Sequence, residues 1–333
     1  ETRVEVNLKD SVWMMECPEG TEVVFPNTDG RGYGLFIPDA ASMAWLLKHW
    51  QDTIDDTARQ SLLMLLYENY QARLVSDQDW LEALLNGLAT EKNVLTASSL
   101  CGYLGAPMRK IGDEATEDRI WHWAEHHPLS SCRLQLVRSL ISNAQTPKSI
   151  DKLYQMWEKQ SHPLLNERDY TRMSYELSLR FPERHPQILE TQRARITNPD
   201  RIRQFDFISR AVTPDTLKMD EVFVSLLQAE NRRIEPWAAS ALAYLNHPLR
   251  ETYSVKYIRP GLEVLQEVQR TGDIFFPKDW ASALLGSYRS QEAYQEVQAF
   301  FEAHPDYPSL LKNKILQAAW PLYREAGRTA LNE

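Results

Sequence analysis

From Asp39 to the end of the chain, apolar residues recur at helical spacing, and no stretch after residue 40 alternates long enough to make a strand. Asp39 stands as a cap before a helix reaching Trp50, with Met43, Leu46, Leu47 and Trp50 on one face. Thr57 to Leu74 carries Leu62, Leu63, Leu65, Leu66 and Tyr70, a stripe broad enough to be buried on two sides. Ser76-Asp77-Gln78-Asp79 opens the next helix as a near capping box, with Asp where Glu is usual. Trp80, Leu81, Leu84, Leu85 and Leu88 follow it. Thr146-Pro147 is a cap followed by proline at the first helical position, and Leu153, Met156 and Trp157 line that helix. The pattern continues through Leu262 to Val268, Trp280 to Leu285, Ala293 to Phe301 and Leu310 to Leu322. About 16 helical segments of roughly 10–20 residues are expected, joined by short polar turns.

Five of the eight histidines precede proline: His127, His162, His185, His247 and His304. The residue before proline avoids the helical region, so each pair marks a helix–helix junction. Consecutive helices on short links pack as antiparallel neighbours. So many of them suit an all-α fold, an irregular α-solenoid of HEAT- or armadillo-like helix pairs, better than one bundle. The repeats are degenerate, because no strict consensus period recurs. The concave side of such a stack usually serves as a surface for something elongated.

Residues 1–38 read differently. Thr2 to Leu8 alternates polar and apolar, as a half-buried strand does. Val12 to Met15, Glu22 to Phe25 and Tyr33 to Ile37 are short β-prone runs, separated by turns at Pro18-Glu19-Gly20 and Pro26 to Gly30. So few short strands make a weak independent sheet, and they are expected to be the remnant of a larger β-domain. The expected division is residues 1–38 as β remnant and 39–333 as helical repeat. Glu1-Thr2-Arg3 carries no start methionine, basic region or apolar core of a signal, and reads as a mature or cut end.

With 43% hydrophobic and 25% charged residues the chain has the composition of a folded globular protein, and only 12 glycines favour helices over tight β-turns. The net charge of −9 lowers the expectation of a nucleic-acid partner. No apolar run reaches the roughly 18 residues of a membrane helix. Three cysteines, Cys17, Cys101 and Cys132, with no CxxC fit neither a disulfide framework nor a zinc knuckle; buried thiols are the expectation. The compartment is left open between cytoplasmic and exported.

The sharpest candidate chemistry is His122-Trp123-Ala124-Glu125-His126, an H-x-x-E-H spelling. On a helix His122 and His126 lie one turn apart and could share a metal, with Glu125 as general base. The bland reading is a helix running to its proline stop, with histidines placed favourably at the C-terminal end of the dipole. H-E-x-x-H, G-x-S-x-G and P-loop spellings are absent, and Gly30-Arg31-Gly32-Tyr33-Gly34 lacks the spacing and context of a dinucleotide loop. No catalytic residue is assigned. Arg193, Arg195, Arg201, Arg203, Arg210, Arg232 and Arg233 cluster in sequence. A solvated face is the default; the alternative is a positive lining for a carboxylate.

Phe25 to Gly34, followed by Asp39 and a helix, resembles a junction in aminopeptidase-N-like zinc peptidases, where a small β-sandwich ends and a large C-terminal helical domain begins. Asn198-Pro199-Asp200-Arg201-Ile202-Arg203 is similar to the N-P-N-R-x-R element of that domain, with Asp200 replacing the second Asn. Leu245 to Arg250 and Gly272 to Pro277 also look like segments of bacterial members. The resemblance covers nearly the whole chain. It implies a non-catalytic domain that closes over an active site, limits peptide length and lines the cavity with Arg201 and Arg203. The family's zinc motif and its G-x-M-E-N element belong to a preceding domain, so zinc is expected there and no cofactor in this chain. The implied partners are those upstream domains and peptide substrates. The alternative is a free-standing helical-repeat scaffold that binds a peptide or protein.

Overall fold

The computed structural model describes residues 4, 5, 12, 14 and 16–326. Those residues form an all-α protein, and among them no β-strand is present. The chain groups into two compact units, Glu1–Ala97 and Ser98–Glu333.

The first unit holds α1 (Ala40–His49), α2 (Asp56–Gln71), α3 (Asp77–Thr90) and the start of α4 (Val94–Tyr103). The second continues through α5 (Gly105–Ile111), α6 (Glu114–His126), α7 (Ser130–Asn143), α8 (Pro147–Lys159), α9 (Glu167–Arg180), α10 (His185–Arg195), α11 (Pro199–Ser209) and α12 (Thr216–Leu226). It ends with α13 (Glu235–Leu245), α14 (Glu251–Ser254), α15 (Ile258–Glu263), α16 (Leu265–Thr271), α17 (Phe276–Leu285), α18 (Gln291–Ala303), α19 (Ser309–Ala318) and α20 (Trp320–Ala326). The described helices outnumber the expected segments partly because residues 251–271 break into three short pieces. Pro260 and Gly261 sit in the middle of that stretch, and both weaken a helix.

The expected caps form. Asp39 Oδ1 accepts from the amides of Ala41 and Ser42 (2.9 and 3.0 Å). Ser76 Oγ accepts from Asp79 N at 3.0 Å and donates to Asp79 Oδ2 at 2.7 Å. The short aspartate thus holds the capping hydroxyl. Thr146 caps α8 with Pro147 at its first position. All five His-Pro pairs fall at helix ends or in the links between helices. Three of these are His-Pro-Leu, and in each the imidazole Nδ1 accepts the leucine amide two residues on: His127 from Leu129 at 3.1 Å, His162 from Leu164 at 3.3 Å and His247 from Leu249 at 3.2 Å. The ring acts there as an Asx side chain would in a turn.

The β-prone runs have a different outcome. The expected strand over residues 2–8, and residues 13 and 15 of the next run, lie outside the described residues, apart from Val4 and Glu5. Residues 22–25 and 33–37 are described and form no strand. A strand needs a neighbour to take its backbone groups, and here helices take some of them: Val24 N donates to Ser42 Oγ (2.9 Å), and Phe36 O accepts from Asn69 Nδ2 (2.9 Å). Both expected turns are present, closed by Thr21 N to Pro18 O (3.1 Å) and Gly30 N to Asn27 O (3.0 Å).

The cores are aliphatic with tryptophan keystones. Buried indoles donate to fixed acceptors: Trp50 to Ala83 O (3.1 Å), Trp121 to Ser149 Oγ (2.9 Å), Trp157 to Gln192 Oε1 (2.8 Å) and Trp280 to Gly261 O (2.9 Å). Cys101 and Cys132 are buried free thiols, while Cys17 is exposed. In the second unit, side-chain bonds repeatedly join residues about one helix pair apart in sequence. Arg138 bonds Asp169 (31 residues on), Arg201 bonds Glu167 (34), Tyr257 bonds Asp220 (37) and Arg250 bonds Ala211 O (39).

In the first unit the link from α3 to α4 is held by Glu91. Its carboxylate, 1% exposed, takes Arg59 Nε at 2.7 Å and the amides of Lys92 and Asn93 at 2.8 and 2.6 Å. Removing one partner of a buried ion pair strands the other. Glu91→Ala is expected to destabilise the protein by about 3 kcal/mol, read as a lowered midpoint in urea unfolding. An unchanged midpoint would show that the pair does not hold this link.

Candidate functional site

Within the second unit, α4, α5, α7, α9, α11 and α13 surround a cavity of about 960 Å³. That is near the upper end of ordinary ligand sites. Its long wall is α9. Glu167 and Arg168, then Thr171 and Arg172, then Tyr175 and Glu176 follow one another a turn apart and all line the cavity. The helix is fixed in register by a complete capping box, in which Asn166 accepts from Arg168 and Asp169 and Asp169 reaches back to Asn166 N at 3.1 Å.

The remaining charges converge from neighbouring helices. Arg138 of α7 grips Asp169 with a fork of two bonds, 2.7 and 3.1 Å. Arg201 of α11 donates to Glu167 at 2.8 Å. Glu176, 5% exposed, meets Arg180 at 2.7 Å and His247 Nε2 at 3.3 Å. His247 Nδ1 already accepts from Leu249, so the Nε2 proton faces the carboxylate. Burial works against the charge on Glu176, but the His247 hydrogen bond and the Arg180 charge prevail and hold it at about 2, below its ordinary 4.5. Tyr175 stacks on Phe205 and meets Tyr244 edge-on, both with ring centroids 5.3 Å apart. Burial raises both phenols above their ordinary range, so they stay protonated at neutral pH.

Both nitrogens of His247 are engaged, so this imidazole is not free to act as a base. Cys101 lines the cavity, but burial pushes its thiol far above the usual range, which disfavours the thiolate a nucleophile needs.

The residues singled out from sequence are dispersed. Arg201 lines the cavity. Arg203 is not among the lining residues; its side chain is 71% exposed and pairs with Asp200 at 2.5 Å. Of the remaining clustered arginines, Arg193 pairs with Asp206 (2.6 Å), Arg195 holds the carbonyls of Trp157 and Glu158 (both 3.0 Å), and buried Arg232 takes Glu267 (2.9 Å). On α6, His122 and His126 stack with centroids 4.7 Å apart. His126 Nδ1 lies 2.9 Å from His122 O, and Glu125 pairs with Lys152 at 2.5 Å. Among the described residues no three His, Cys, Asp or Glu side chains converge as metal ligands. The cavity arginines Arg168 and Arg172 escaped notice in the sequence because they lie outside the dense cluster. Their signal was the four-residue spacing Arg168, Arg172, Glu176 along one helix face.

No described helix is long and apolar enough to cross a membrane. No family model matches the chain, and no curated protein matches its sequence.

The depressed Glu176 carboxyl makes a pH-dependent contribution. A group whose folded pKa is lowered stabilises the fold above its unfolded value and loses that contribution as pH falls through the folded one. Glu176→Gln is therefore expected to be less stable than the native protein by a constant margin above pH 4.5, and the margin should shrink as pH falls from 4.5 towards about 2. Urea midpoints across that range check it; a margin that persists to the acid end contradicts the assignment.

Proposed function

We propose that this chain is the non-catalytic C-terminal helical domain of an aminopeptidase-N-like zinc metalloaminopeptidase of bacterial type, and that its cavity receives the distal part of the peptide. The cavity in the Ser98–Glu333 unit carries this reading. It is of peptide-binding size, charged and aromatic on its walls, and includes Arg201 from the Asn198-Pro199-Asp200-Arg201-Ile202-Arg203 element. The sequence resemblance supplies the rest: a preceding domain that holds zinc and cuts, and a helical part that closes over it, excludes water and limits peptide length. The zinc would sit in that preceding domain. This chain has no H-E-x-x-H, and among the described residues no set of side chains is assembled to hold the ion, so no catalytic step is assigned to it.

The same proposal takes the helices as an irregular solenoid of HEAT- or armadillo-like antiparallel pairs. Bonds recurring between residues 31 to 39 apart are what stacked helix pairs produce, each pair gripping the next. That observation also favours a second reading, a free-standing helical-repeat scaffold that binds a peptide or protein.

The purified chain, supplied with zinc, is expected to release no nitroaniline from aminoacyl-p-nitroanilides. Zinc-dependent turnover abolished by a chelator would overturn the non-catalytic reading. The coding sequence ahead of Glu1 separates the two readings: an H-E-x-x-H followed by a glutamate ligand supports the peptidase domain, and its absence supports the scaffold.

A further inference from the structure

The charges on the cavity wall do not cancel. Arg109, Arg138, Arg168, Arg172 and Arg201 line it, against the acids Glu167 and Glu176. Glu167 is taken by Arg201, and Glu176 by Arg180 and His247. Arg138 is satisfied by Asp169. Arg168 and Arg172 form no ion pair and no side-chain hydrogen bond among the described residues. Both are solvent-exposed. They stand at i and i+4 on α9, where like charges repel and weaken the helix slightly.

Two adjacent unpaired guanidiniums are unusual in a chain of net charge −9, which has acids to spare. Every other arginine named on this wall, Arg109 included, has a partner. A concave wall with uncompensated positive charge concentrates anions. The guanidinium fork fits a carboxylate with two parallel bonds. One turn further along the same face lies the aromatic floor of Tyr175, Phe205 and Tyr244, which offers apolar surface beside the charge.

We propose that this cavity selects peptides bearing carboxylates, and that Arg168 and Arg172 of α9 read them. The carboxylate comes either from Asp and Glu side chains or from the peptide's own C-terminus; the chemistry is shared. This rests on the cavity being the peptide-receiving surface, and it adds the charge of the peptide to that reading.

The test uses the full chain and four oligo-alanine peptides labelled with an uncharged fluorophore. Two carry a pair of glutamates, two carry glutamines instead, and one of each has an amidated C-terminus. Binding is read by fluorescence anisotropy at low salt. The glutamate peptide is expected to bind about tenfold tighter than its glutamine isostere if side chains are read. The free-acid peptides are expected to bind about tenfold tighter than the amides if the terminus is read. In either case added salt weakens the preference. The double variant Arg168→Met/Arg172→Met is expected to lose the preference. Its urea midpoint should be equal to or above the native one, because a like-charge pair has been removed. Arg203→Met, outside the cavity, should keep the preference. Equal binding of all four peptides, or a preference that survives in the double variant, overturns the carboxylate inference and leaves peptide binding standing. Failure of all four to bind overturns the peptide-receiving surface itself, and this inference with it.

Discussion

Short helices carry a disproportionate burden at their ends. Each leaves its first amides and last carbonyls without an intrahelical partner, whatever its length. A fold made of α1 to α20, the longest of them 16 residues, has a large share of its backbone in that condition. The structure meets it at two levels. Locally, Asp39, Ser76, Thr146, Asn166 and Asn198 cap their own helices, and the imidazoles of His127, His162 and His247 close the links. At longer range, acids reach across. Buried Glu117 takes the amides of Gln145 and Thr146 ahead of α8, and Glu251 takes those of Arg289 and Ser290 ahead of α18. These second bonds do what caps alone cannot: they fix where a helix begins relative to one earlier in the chain, α8 to α6 and α18 to α14.

The cavity inherits that order. α9 can present its charged face in one register because Asp169 serves twice, in the capping box at its own N-terminus and as the acceptor for Arg138 of α7. At the far end of the wall, His247 links the α13 end to α9 through Glu176 while its other nitrogen closes the turn after α13. Helix capping and cavity construction therefore share residues. Acid placed in a turn is structural there, and the arginines left over after such pairing are the ones available to a ligand.

Much of the helical architecture was legible in the residues. The caps at Asp39, Ser76 and Thr146, the junctions at His-Pro pairs and the buried Trp80, Trp157 and Trp280 follow from local stereochemistry and period. The runs at 22–25 and 33–37 were misleading for a physical reason. β-propensity describes fit to a pleated, half-buried surface, and without a neighbouring strand these residues bond to helices. The arginine cluster at 193–233 was misleading in another way. Closeness in sequence says nothing about which acid each guanidinium meets, and Arg193, Arg203 and Arg232 find separate partners.

Local residue order sets the caps of α1, α3 and α8, the apolar stripes of the helices, and the placing of each His-Pro pair at a junction. Those properties depend on neighbours within a turn or two, and the order of residues contains them. Which charges cancel is set by the packing of the helices. Arg138 meets Asp169 across 31 residues and Arg201 meets Glu167 across 34, while Arg168 and Arg172, in the same helix as those acids, meet none. Charge compensation depends on distances of a few ångströms between residues far apart in the chain, and only the packed helices set them.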